Sequence, residues 1–257
     1  MKTDVLIYNG RIIAQTHVLK PVYVLIKSGI IASIGEDWTG VEAERKIDAA
    51  GFFVSPGFID MHTHGIKEVD FMEADVEGIL RAFKEYTSFG VTRVVATTLS
   101  HTYGRIIEQI KRMRQAGEDK EFGYLLHGAH VEGPWLAPRC RGGHALQYLT
   151  IPEKEDVNRL LGEVGDVIRT VTFAPELPNA VWLTEQLSKR GIVPVLGHTA
   201  GSFEEAVRWG SINPAVTLGI EHETGSISIG KYADIVLLDD DMNVKMTFLK
   251  GRLVFQA

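Results

Sequence analysis

The chain has 257 residues, 45% of them hydrophobic and 23% charged, which supplies a sizeable core and is too apolar for a disordered segment. Lysine plus arginine total 27 against 33 aspartate plus glutamate, a formal charge of −6, so a nucleic-acid or anionic-membrane partner is not expected. The single cysteine, Cys140, excludes an internal disulfide framework, and no apolar run approaches the roughly 18 residues of a membrane span or marks a signal peptide at the start. A cytoplasmic setting is the expectation that follows.

The amino-terminal stretch reads as a β-meander. Val5 to Tyr8 runs into an Asn9-Gly10 turn signal, followed by Arg11 to Ala14, Val22 to Ile26 and Ile30 to Ile34. The same pattern returns at the other end in Gly225 to Gly230, Ala233 to Asp239, Met246 to Phe248 and Arg252 to Phe255. Strands that expose one face must bury the other, so residues 1–55 and 211–257 are expected to form one small β-sandwich domain.

Residues 56–210 alternate strand and helix in the manner of a parallel α/β fold. The expected strands are Phe58 to Asp60, Val91 to Leu99, Tyr124 to Val131, Val167 to Phe173 and Ile192 to Leu196. The expected helices are Asp75 to Phe89, Tyr103 to Ala116, Pro152 to Glu163, Asn179 to Arg190 and Ser202 to Trp209. Thr150 and Glu153 spell a capping box at the start of the third helix. The pattern yields five strand-helix units, whereas a closed (β/α) barrel needs eight over about 250 residues. The fold class is therefore α/β, either an incomplete (β/α) barrel or an open sheet of five parallel strands.

Chemistry gathers where the strands end, the face on which parallel α/β folds bind ligands. His62 and His64 stand at i and i+2 of an extended segment, which aims two imidazoles at one point and suits a divalent metal; a pair of merely hydrogen-bonded histidines is the alternative. Glu132, before Gly133-Pro134, offers a carboxylate to one metal or a bridge between two. His198, after Gly197, brings a third imidazole to the same face. His62, His64, Glu132 and His198 together form a nitrogen and oxygen ligand set suited to one or two ions of Zn²⁺, Fe²⁺ or a similar metal that activates water. His127 and His130 are read as satisfied histidines of the sheet, and Gly142-Gly143-His144 as a loop able to approach a polar ligand. Cys140 is read as a bystander thiol.

These motifs resemble the amidohydrolase superfamily and, within it, the N-acetylglucosamine-6-phosphate deacetylases. Pro56-Gly57-Phe58-Ile59-Asp60 with His62 and His64, and Gly225 to Val236, resemble the superfamily; Gly128 to Pro134, Ala174-Pro175-Glu176, Gly197-His198-Thr199, Gly143-His144 and Asn213-Pro214-Ala215 resemble the deacetylases. The resemblance implies metal-dependent deacetylation of N-acetylglucosamine 6-phosphate to glucosamine 6-phosphate and acetate, in amino-sugar metabolism, by a cytoplasmic homodimer. It implies that His62 and His64 hold one metal, that Glu132 is shared and that His198 holds the second. Gly143 and His144 would bind the sugar, and an aspartate would carry the proton from the attacking water to the leaving amine.

After His198 the family pattern continues through three further strands that carry the aspartate. Here Trp209-Gly210 passes directly into Ser211-Ile212, and no aspartate occurs between His198 and Asp234, so no catalytic residue is assigned. Two other readings follow: another amidohydrolase acting on an amide, or an inactive, shortened form that binds a sugar phosphate or a metal. A true deletion exposes the first and fifth strands, a cost that favours a natural chain with additional residues at this junction. The natural protein is then expected to show an intact mass above 28.5 kDa, and a mass at that value contradicts the expectation.

Overall fold

The computed structural model describes residues 4–13, 18–212, 215–216, 219–241 and 243–257. Ala14 of an expected strand and Asn213-Pro214 of the family-like motif lie outside these residues. The chain divides into two compact units, residues 1–58 and 59–257.

The first unit is a sheet of β1 (Val5–Ile13), β2 (Val18–Lys27), β3 (Ile30–Gly35), β4 (Arg45–Asp48) and β5 (Phe53–Val54). The strand order is β3-β2-β1-β4, with β5 also pairing β1. The Asn9-Gly10 signal does not turn the chain. β1 runs straight through it, with Asn9 at φ 64° and the β1–β2 register shifting between Ile7 and Gly10. Asn9 Nδ2 donates to Asp48 Oδ1 at 3.0 Å, and a Cβ on Gly10 would lie 2.4 Å from Val54 Cγ2. The left-handed asparagine and the glycine thus make a bulge under close packing, where sequence pattern alone suggested a hairpin.

The second unit is built on a curled, five-stranded parallel sheet, an incomplete TIM-like barrel. Its strands are β6 (Phe58–Thr63), β9 (Val91–Thr97), β10 (Leu126–Glu132), β11 (Ile168–Phe173) and β12 (Val193–Leu196), in the order β12-β11-β10-β9-β6. A short hairpin of β7 (Gly65–Ile66) and β8 (Val69–Asp70), unmarked in the sequence pattern, follows β6. The helices are α1 (Val76–Ser88), α2 (Tyr103–Gly117), α3 (Lys154–Val164), α4 (Ala180–Ser188) and α5 (Phe203–Gly210).

Helix starts follow local chemistry. Asp75 and Thr102 cap α1 and α2, accepting from the Gly78 and Arg105 N–H groups. The box expected at Thr150 and Glu153 does not form: Glu153 is itself the N-cap residue of α3, and the Thr150 hydroxyl donates to the Ile151 carbonyl. A complete capping box instead begins α5, from Ser202 and Glu205.

The core packs helices on sheet. Ile79 and Phe83 of α1, Ile106, Ile110 and Met113 of α2, and Leu160 and Val164 of α3 are fully buried with Val94 and Ala96 of β9 and Ala129 and Val131 of β10. Period-two alternation places His130 and Glu132 on the face of β10 opposite Ala129 and Val131. That inversion is what delivers polar side chains to the inner face.

The outer strands carry the cost of the missing units. Phe58, Ile59 and Met61 of β6 and Val193, Val195 and Leu196 of β12 are exposed. Three carboxy-terminal strands, β13 (Ile235–Leu238), β14 (Val244–Leu249) and β15 (Arg252–Gln256), form an antiparallel sheet of their own. Gly225 to Gly230 is not a strand.

Ile110, fully buried where α2 meets the sheet, is the most direct test of this core. Ile110→Ala is expected to lower stability by about 2–5 kcal/mol in urea unfolding.

Candidate metal centre

β6 ends in the His62-Thr63-His64 segment, and its backbone is held by hydrogen bonds from side chains. Thr63 N–H donates to Thr97 Oγ1 at 2.9 Å, and Asp60 Oδ1 accepts from His62 N–H at 3.1 Å. Asp60 shares the strand phase of both histidines, but its carboxylate is turned onto the main chain and braces the segment. His62 Nε2 and His64 Nε2 lie 3.3 Å apart, and Glu132 Oε2 lies 3.5 Å from the first and 3.1 Å from the second.

A tetrahedral ion with bonds of about 2.1 Å separates its ligands by about 3.4 Å. The three edges here match that spacing, so these atoms could hold a metal without rearrangement. His64 Nδ1 has no partner among the described residues.

Glu132 is buried at the end of β10. Burial alone would raise its carboxyl; the His144, His64, His62 and His198 imidazoles around it outweigh that and hold it well below the usual carboxylate range. Its second oxygen, Oε1, lies 3.1 Å from His198 Nε2. The carboxylate thus has one oxygen toward the His62–His64 pair and the other toward His198, the arrangement of a bridge.

The two remaining imidazoles differ in the partner of Nδ1. His198 Nδ1 lies 2.8 Å from the Cys140 carbonyl, an acceptor, so Nδ1 carries a proton; Nε2, 3.1 Å from Glu132 Oε1, donates to that carboxylate in the absence of a cation and is the nitrogen that would turn a lone pair to one. His144 is the reverse. Its Nδ1 accepts from Ser100 N–H at 3.1 Å, with Ser100 Oγ at 2.8 Å. Nε2 therefore carries the proton and faces Glu132 Oε2 at 3.4 Å. His144 is equipped to donate a hydrogen bond and His198 to bind a cation. Among the described residues, a second ion beside His198 would have Glu132 as its one additional close ligand.

The expected site residues thus converge, with Gly143 placed differently. Gly143 is exposed, with open space where a Cβ would stand, and Gly142 packs on the His198 ring. Arg141 donates to the His144 carbonyl at 2.6 Å. Cys140 takes part through its carbonyl. His127 is exposed and its carbonyl accepts from Arg169.

His130 is a histidine of the sheet, as expected, with its Nδ1 left without a partner among the described residues. It is buried, its ring meets that of His62 edge-on at 4.7 Å, and Nε2 lies 2.7 Å from Thr172 Oγ1. The alternation that placed Glu132 inward placed His130 inward too. Gly133 then turns the chain at φ 75°, where a Cβ would lie 2.1 Å from Ser100 Oγ, so glycine is required both by conformation and by the close approach of the His144 partner.

The model of the amidohydrolase family matches residues 166–254. The N-acetylglucosamine-6-phosphate deacetylase of Lysinibacillus sphaericus is 31% identical over 194 residues, 73% of this chain and 49% of the relative. That of Bacillus subtilis is 29% identical over 203 residues, 77% of this chain and 51% of the relative. A crystal structure of the deacetylase from Mycobacterium smegmatis superposes with a TM-score of 0.69 at 27% identity, covering 79% of this chain and 52% of that one. Residues 166–254 thus carry an amidohydrolase-family segment, and the chain is similar to the deacetylases over most of its own length. It spans about half the length of the curated relatives it matches. Among the described residues, no helix is long and apolar enough to cross a membrane.

Burial, chiefly, and the nearby His62 hold the His130 imidazole down to about 4, so it stays neutral in the folded protein where an unfolded histidine protonates near 6.5. The unfolded chain binds the extra proton between those values, so stability present above pH 6.5 is lost as pH falls toward 4. Between pH 7 and pH 5 the loss is about 2 kcal/mol. Urea unfolding of the metal-free protein at the two pH values is expected to show a smaller loss in His130→Gln.

Proposed function

We propose that this chain is a metal-dependent hydrolase of the N-acetyl group of N-acetylglucosamine 6-phosphate. The observation that carries the reading is the convergence of His62, His64 and His198 on one buried carboxylate at the strand ends of a parallel half-barrel. The named relatives that match this chain are deacetylases of that substrate.

A divalent ion bound here supplies Lewis acidity toward a carbonyl oxygen and makes water a better nucleophile at neutral pH. His62, His64 and Glu132 would hold it, and Glu132 with His198 would hold a second. His144 donates from Nε2, a bond suited to a sugar hydroxyl or an acyl oxygen. The buried, neutral His130 packs its ring edge-on against His62 from the sheet side of the cluster.

A cyclic-amide hydrolase with a carboxylated lysine on β11 finds no support, because that strand, Ile168 to Phe173, contains no lysine. A second reading, a binder without turnover, is favoured by the missing aspartate. Asp234 cannot stand in: its Oδ2 accepts from Thr224 Oγ1 at 3.0 Å and its Oδ1 from Lys250 N–H at 2.8 Å, which ties it to a turn beside β13.

Acetate release from N-acetylglucosamine 6-phosphate with added Zn²⁺ or Fe²⁺ separates the two. Turnover is expected, slowed by about 10²–10⁴-fold relative to full-length relatives for want of the general base, and abolished in Glu132→Gln. Retained sugar-phosphate binding with no acetate release would make the chain a binder.

A further inference from the structure

The Ala174-Pro175-Glu176 segment takes no direct part in the histidine cluster. Glu176 is half-buried just beyond β11, and both of its carboxylate oxygens engage the chain immediately after His198. Oε2 accepts from the Thr199 hydroxyl at 2.5 Å, and Oε1 accepts from the Ala200 N–H at 2.6 Å. Thr199 Oγ1 in turn accepts from Gly201 N–H at 3.0 Å, closing a compact turn.

That turn has something to hold. His198 sits at φ 50°, in the left-handed region that non-glycine residues rarely occupy. Its carbonyl accepts from Ala137 N–H at 2.9 Å and its Nδ1–H donates to Cys140. One side of the residue is thus tied to the 137–140 loop, and the Glu176 carboxylate ties the other. Released from either, the backbone would relax toward ordinary φ values and swing the imidazole away from Glu132.

We infer that Glu176 is the positioning residue for His198, fixing the left-handed turn that aims Nε2 at Glu132. The choice of a carboxylate follows from the donors. A hydroxyl and an amide N–H arrive at separate oxygens, and a carboxylate satisfies both, whereas the amide of glutamine offers one acceptor and confronts the other donor with an NH₂ group. The consequence for metal binding rests on the metal reading above; the geometry does not.

The test uses two readouts on the wild type, Glu176→Gln and Glu176→Ala. Long-range ¹H–¹⁵N spectra of the metal-free protein are expected to show His198 Nδ1 protonated in the wild type, held on the Cys140 carbonyl, and to lose that Nδ1–H signature in both variants. The Nε2–H pattern of His144 should persist as the control for an intact fold. Zinc titration is expected to show the His198-containing equivalent weakened by about 10–100-fold, with the His62–His64 equivalent unchanged. If the alanine variant fails to fold, the near-isosteric glutamine variant carries the comparison. An unchanged His198 pattern together with unchanged zinc affinities overturns the role of Glu176. A wild type with the expected His198 pattern that takes up no zinc overturns the metal reading instead, and the spectra alone then decide on Glu176.

Discussion

One buried carboxylate organises the inner face of this molecule. Four imidazoles lie within 3.5 Å of the oxygens of Glu132, and none of them comes from its own strand. A carboxylate taken from water without such partners would cost several kcal/mol and would protonate instead. Everything that fixes Glu132 also fixes its neighbours: the alternation of β10, the bracing of β6 by Thr97 and Asp60, and the turn that follows β12. The cluster is therefore a property of the half-barrel as a unit.

Within the cluster the histidines are sorted by what lies behind them. A carbonyl behind His198 keeps the proton on its outer nitrogen and leaves its inner nitrogen able to give up a proton to a cation, whereas an amide N–H behind His144 fixes the proton on its inner nitrogen. Two rings at similar distances from one carboxylate thereby acquire opposite chemistry. Proximity alone would group His144 with the metal-binding atoms; the direction of its hydrogen bond to Ser100 assigns it to ligand recognition. Orientation by partners outside the cluster is what turns five titratable groups into distinct roles.

Much of this was legible in the sequence because strand periodicity is a short-range rule. His62 and His64 two residues apart, and Glu132 closing an apolar run, needed only alternation to share a face. What stayed hidden depends on contacts across long separations. Ser100 meets His144 across 44 residues, and the tautomer follows from that meeting. His130 reads as a sheet histidine amid Ala129 and Val131 and is one, but its ring contact with His62 depends on residues 68 positions apart. Asn9-Gly10 and Thr150 with Glu153 were misjudged for a related reason: both are local signals that tertiary packing overruled, the first by the β4 and β5 contacts and the second by where α3 begins.

The central claim is that His62, His64 and Glu132 form a ready metal site although the sheet stops at five strands. Zinc K-edge absorption of the protein loaded with one equivalent tests it most directly. The account predicts a first shell of nitrogen and oxygen at about 2.0–2.1 Å with the outer-shell scattering of two imidazoles. Failure to retain zinc, or a sulfur scatterer at about 2.3 Å that places the ion on Cys140, would contradict it.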